Sequence, residues 1–151
     1  MIIGNPQEFG IHFEVFESAE VGNWKFGLFN FILNDKLVPG FGTNWTLNTL
    51  FSELKFTRED FERAFKLDFI AGSEYELYSF AKSYSGQDKE CFLEIDIMEI
   101  SDFGWEFFLF SAGKEERFIY TSDGGATVHE KRMPKWSFMK LLNQLPPIST
   151  L

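Results

Sequence analysis

The chain has 151 residues, 44% of them hydrophobic and 25% charged, a length and balance suited to one globular domain with a real core. Its net charge of −9 and isoelectric point near 4.7 argue against nucleic acid, whose phosphates need a basic footprint, and against anionic membranes. One cysteine, Cys91, leaves no internal disulfide and fits a reducing cytosol.

The opening, Met1 to Pro6, lacks the basic start and apolar run of a secretory leader, and no apolar run is long enough to span a bilayer. The expected location is therefore the cytoplasm. Phe9 to Glu17 alternates as a strand, with Phe9, Ile11, Phe13 and Val15 on one face. After turn chemistry at Val21-Gly22-Asn23, the run from Trp24 to Leu33 is apolar on both faces and predicts a central strand. Asn34-Asp35 makes a two-residue turn into Lys36-Leu37-Val38, and Pro39-Gly40 ends that strand.

Two helices follow. Leu47, Leu50, Phe51 and Leu54 form one apolar stripe with Thr46 as N-cap. Thr57 caps a second helix with acids in its first turn and Phe61, Ala64 and Phe65 on its buried face; Gly72 closes the helical region. Tyr75 to Lys82 reads as a strand and 83–88 as a loop. Cys91 to Ile100 alternates, with Cys91, Leu93, Ile95 and Ile97 inward and Phe92, Glu94, Asp96 and Met98 outward. Trp105 to Phe110, Glu116 to Thr121 and Ala126 to Lys131 continue an antiparallel meander, the last pair joined at Asp123-Gly124-Gly125. Pro134 opens a closing helix carrying Phe138, Leu141, Leu142 and Leu145, and Pro146-Pro147 stops it. The order predicts an α+β fold: an antiparallel sheet of roughly six to eight strands, with an N-terminal hairpin, a C-terminal meander and two or three helices packed on it. Residues 1–151 read as a single domain, with a loose tail from about 146 to 151.

Charge is segregated. Between Glu74 and Glu106 nine acids face two bases, Lys82 and Lys89, which places −7 of the −9 in just over a fifth of the chain; residues 107–151 sum to +2. Solubility alone does not require segregated charge, whereas a basic protein partner is met faster by a clustered acidic surface.

Catalytic and cofactor chemistry is poorly supported. His12, His129 and Cys91 are too dispersed in sequence to form a zinc site except through the fold, and no signature of Cys-His catalysis surrounds Cys91. Glu94 and Asp96 share a strand face and resemble a glycosidase pair, but exposed alternating acids are usually just solvated. Asp123-Gly124-Gly125 lacks the helix and Lys-Ser/Thr pair of a phosphate loop. No catalytic residue, cofactor or metal is assigned.

Three stretches carry a likeness to a known family. They are the opening Met1-Ile-Ile-Gly-Asn-Pro-Gln-Glu-Phe-Gly-Ile-His-Phe-Glu14, the hairpin from Trp24 through Asn34-Asp35 to Val38, and Met133-Pro-Lys-Trp-Ser-Phe-Met-Lys-Leu-Leu142. Together they resemble the immunity protein 42 family, immunity proteins of bacterial polymorphic toxin and contact-dependent inhibition systems. Asp35 stands where that pattern has the Gly of the hairpin, and Trp136 where it has a second Gly. The resemblance implies a cytosolic protein that binds and neutralises one cognate toxin domain, with no enzymatic activity; it supplies no contact residues. A nuclease toxin would carry a basic surface. The residues expected to meet it are Tyr84, Phe92 and Trp105 as aromatic anchors, with charge from Asp88, Glu90, Glu94, Asp96 and Asp102. Neither nucleic acid nor membrane is expected as a direct partner. A carbohydrate- or peptide-binding module using exposed aromatics is the alternative, and a hydrolase using Glu94 and Asp96 a third.

Overall fold

A computed structural model describes residues 1–40, 44–84 and 91–151. The chain is α+β with antiparallel strand pairing, as expected, and its strands divide between two sheets. It forms two compact units, one of residues 1–55, 97–99 and 140–151, the other of 56–96 and 100–139.

The first unit is built on β1 (Ile2–Asn5), β2 (Phe9–Ser18), β3 (Lys25–Leu33), β4 (Lys36–Val38) and β5 (Trp45–Thr46), in the order β1-β2-β3-β4 with β5 also on β3. β3 is central, as its two-faced apolar run predicts, and Phe29 through Leu33 are buried. The β3–β4 loop is Asn34-Asp35, both with positive φ (51° and 68°), which gives the hairpin the twist its strands need. β2 carries a bulge between Val15 and Glu17, opposite Gly27, where a Cβ would overlap the Glu14 carbonyl; only glycine lets the backbones approach there. The helix α1 (Leu47–Glu53) lays Leu47, Leu50 and Phe51 on this sheet, with Phe51 edge-on to Phe13 at 5.3 Å. Burying each such ring stabilises the unit by about 2 kcal/mol. Thr46 occupies the N-cap as predicted, but its side chain makes no capping bond. Residues 148–150 form a 3-10 turn against α1.

The second unit holds α2 (Arg58–Ala64), α3 (Glu74–Ser83) and the meander β6 (Leu93–Glu94), β7 (Glu106–Ala112), β8 (Glu115–Thr121) and β9 (His129–Pro134). α2 starts on the predicted Thr57, in a full capping box with Asp60: Asp60 donates its amide to Thr57 Oγ1 (3.2 Å) and accepts the Thr57 amide (2.7 Å). The stretch from Tyr75 to Lys82 is helix, not strand. Ser73 accepts the Glu76 amide as N-cap, Glu74 and Glu76 sit at the positive end of the dipole, and Leu77, Tyr78 and Ala81 form the buried stripe. β7 is apolar in succession, Phe107 to Phe110, because both of its faces are covered. Phe108 and Phe110 pack with Leu77, Tyr78 and Phe92, while Phe107 meets Phe118, which stacks on Phe138 at 5.6 Å. The single turn α4 (Met98–Ser101) and α5 (Ser137–Leu142) complete the elements. Pro134 ends β9, and α5 begins at Ser137, three residues after it.

Candidate functional site

The predicted acidic strand is shorter than its alternation suggests. Leu93, Ile95 and Ile97 are buried while Asp96 and Met98 are exposed, so the inward and outward pattern holds there. The ladder itself stops at Glu94, and after the Ile95 amide bonds the Phe107 carbonyl at 3.0 Å, pairing ceases. The Met98 amide goes instead to Glu53 Oε2 (3.2 Å), and the chain winds into α4. Phe92, expected to point outward, is only 1% exposed and lies within the core of the second unit. Its neighbours Phe80, Tyr84, Phe108 and Phe110 are rings, and an aromatic among aromatics is removed from water more completely than strand parity alone allows.

Tyr84 caps the C-terminus of α3, half-buried, 5.7 Å from Phe92. Glu94 is half-buried in β6, opposite Phe108. Asp96 is exposed and accepts the Ser101 hydroxyl at 2.9 Å; Asp102 is exposed one residue beyond α4. Trp105 is half-buried and stacks on Phe107, ring centroids 6.1 Å apart and planes within 6°. Asp88 and Glu90 lie outside the described residues.

Other acids of the same run hold the fold. Glu99 accepts the Thr46 amide at 2.9 Å. Glu106 accepts the Tyr78 hydroxyl (2.6 Å) and the Lys82 ammonium (2.7 Å). Burial first, then the hydrogen bond to Glu106, pushes the Tyr78 phenol up to about 12, so it stays a donor at any physiological pH. The described acids of this run therefore include some that brace the fold, Glu99 and Glu106, and some that face water, Glu76, Asp96 and Asp102.

A second feature lies in the first unit. A shallow cleft of about 310 Å³ is lined by Trp24 and by Asn48, Thr49, Ser52 and Glu53 of α1. Trp24 precedes β3 rather than opening it, and is 44% exposed. Asn48 clamps the turn to the helix: Oδ1 accepts the Lys25 amide at 2.7 Å and Nδ2 donates to the Asn23 carbonyl at 3.1 Å. In sequence, Trp24 blends into an apolar run and the polar face of α1 reads as ordinary solvent-facing residues. A local sign is the turn at 21–23, which joins β2 to β3 just before the ring.

Among the described residues, no group of three or more His, Cys, Asp or Glu could hold a metal ion, and no helix is long and apolar enough to cross a membrane. The arrangement offers aromatic surface and carboxylates to a partner.

The fold is similar to that of a solved protein, the CdiI of Burkholderia dolosa AUO158, with a TM-score of 0.74 at 20% identity over 95% of this chain and 96% of that one. An uncharacterised protein of Pasteurella multocida (strain Pm70) is 28% identical, covering 98% of this chain and all of the relative. The family model for immunity protein 42 matches residues 1–147, so the chain belongs to the immunity protein 42 family.

Proposed function

We propose that this protein protects a bacterial cell by binding, one to one, the toxin domain of a contact-dependent inhibition or polymorphic toxin system, acting in the cytoplasm as an inhibitor and not as an enzyme. The observation that carries the reading is the family match over residues 1–147. The fold likeness to a CdiI supports the contact-dependent class of system. The chemistry of the surface supports the partner's character: a chain of net charge −9 with exposed Asp96 and Asp102 favours encounter with a basic domain, as a nuclease toxin would be. Glu94 and Trp105 flank those acids in sequence and, with them, form the proposed contact; Tyr84 adds a half-buried ring, and Asp88 and Glu90 belong to the same acidic run. Phe92 supports the surface from beneath.

The test is co-expression with the toxin domain encoded by the neighbouring gene. Cells carrying this protein should grow, and the two proteins should co-purify one to one. Glu94→Lys with Asp96→Lys should slow association and flatten its salt dependence while the protein stays folded. Normal protection and unchanged association by the double variant would remove these acids from the contact. Failure of the parent protein to rescue growth would remove the function.

A further inference from the structure

The cleft beside Trp24 has the features of a receptor for a single cationic side chain. Its aromatic wall is held in place by the backbone: Gly22 has φ +82°, and a Cβ there would come within 2.8 Å of the Trp24 ring, so the ring rests over a turn that only glycine permits. The Ala19 amide bonds the Trp24 carbonyl at 2.8 Å, and Asn48 pins the residues on either side. The acidic wall is equally fixed, because Glu53 accepts the Met98 amide at 3.2 Å. That bond also brings Met98, 62% exposed, to the same end of α1. Glu53 lies in the last turn of α1, where the helix dipole is negative, and that turn carries no basic residue. Glu17 and Glu20 are exposed on the strand end and turn just before Trp24.

Resting on the immunity reading above, we propose that this cleft is where the toxin domain anchors, by inserting one arginine or lysine. The aliphatic stem lies along the Trp24 ring, whose face attracts the cation, and the head group reaches Glu53. Met98 supplies adaptable apolar surface at the rim. Trp anchors beside fixed charge are the usual concentration points of binding energy in protein interfaces. The volume is at the low end for small-ligand pockets and the cleft is shallow, which favours a side chain presented by a protein over a free metabolite.

The experiment measures binding of the neighbouring gene's toxin domain, by biolayer interferometry, to the parent protein and to Trp24→Ala, Glu53→Gln and Thr49→Arg, with a thermal melt of each. Glu53→Gln retains an acceptor for the Met98 amide, so its melt should match the parent. Thr49→Arg, at an exposed helix position that suits arginine, fills the cleft with the chain's own guanidinium without truncating anything. Thr49→Arg and Trp24→Ala should each weaken binding at least about tenfold, and Glu53→Gln should slow association with a shallower salt dependence. Binding by all three within about twofold of a parent that itself binds would overturn the cleft and leave the immunity function standing. A parent that neither binds nor protects overturns both.

Discussion

The Glu116 carboxylate accepts the Phe138 amide at 2.7 Å through one oxygen and the Trp136 amide at 3.2 Å through the other, with Glu116 and Phe138 both wholly buried. A strand residue of β8 thus supplies the acceptor for the first amides of α5. Loss of solvent dominates its ionisation and raises the carboxyl from 4.5 to about 7, against the opposing pull of those backbone amides. The folded state therefore holds a proton that the unfolded chain has already released between these two values. Its contribution to stability is complete below about pH 4.5 and is lost as pH rises through about 7, an effect of about 3 kcal/mol across the window. Asp60, Asp68 and Asp123 run the other way, their carboxyls held low by hydrogen bonds, and they act only below about pH 4. Denaturation midpoints should therefore fall from pH 5 to pH 7.5. In Glu116→Gln that slope should vanish, and stability at pH 5 should drop by about 1–2 kcal/mol because the amide group presents a donor to one of the two N–H groups. A slope that survives the substitution would place its source elsewhere.

Arg117 is the other wholly buried charge on β8. Its guanidinium donates to the carbonyls of Phe69 (3.0 Å), Ala71 (3.2 Å) and Gly72 (2.9 Å) and pairs with Glu130, which also meets Arg132 at 3.3 Å. One planar fork thereby fixes the connection between α2 and α3. A lysine cannot satisfy three carbonyls and a carboxylate from one ammonium. Arg117→Lys should cost about 3 kcal/mol in urea unfolding and speed hydrogen exchange at the amides of 69–73. A loss under about 1 kcal/mol would mean the loop is held by other contacts.

How far these features were legible in sequence follows from the range of the forces involved. The capping box at Thr57, the Asn34-Asp35 hairpin, the two-faced β3 and the meander order are set by neighbours a few residues apart, and their signals survive in one dimension. The stretch from Tyr75 to Lys82 reads as a strand because Tyr75 and Leu77 mimic strand alternation, whereas the Ser73 cap and the Leu77-Tyr78-Ala81 stripe make it a helix. The proposed contact surface depends on long-range partners. Glu106 is consumed by Tyr78, 28 residues away, Glu99 by Thr46 and the Met98 amide by Glu53, and none of these pairings has a local pattern. Charge density along the chain could not separate acids that brace the fold from acids that face water.

Asp35 and Trp136 occupy the two positions where the resemblance expects glycine, and both have positive φ, 68° and 76°. Aspartate tolerates that region; tryptophan does so only with compensation. Trp136 is held by Phe65 at 5.3 Å, edge-on, by the Arg58 guanidinium 4.8 Å from its ring, and by its amide bond to Glu116. Trp136→Ala keeps the strain and loses the ring, while Trp136→Gly loses both. The glycine variant should therefore be the more stable of the two by about 1 kcal/mol in chemical denaturation. Asp35→Gly, which removes no packing partner, should gain about 0.5 kcal/mol. An alanine variant as stable as the glycine variant would show that residue 136 carries no backbone strain.

Gly124 and Gly125 adjoin in the turn between β8 and β9, with φ of 68° and 92°. Both backbones are left-handed, so alanine at either position meets the same kind of strain, about 1 kcal/mol. Their surroundings differ. A Cβ on Gly124 would have nothing within 4 Å, whereas one on Gly125 would overlap the Tyr78 ring. That ring cannot yield cheaply, since its hydroxyl is bound to Glu106 and it meets Phe108 in a T-shaped contact. Gly124→Ala should lower stability by about 1 kcal/mol, and Gly125→Ala by about 3 kcal/mol as overpacking adds to strain. Tyr78→Phe in the Gly125→Ala background should recover part of the loss, because the freed ring can shift once it no longer has to keep its hydrogen bond. Equal losses for the two glycine variants, measured by urea unfolding, would mean that the turn and α3 are not in contact through Tyr78.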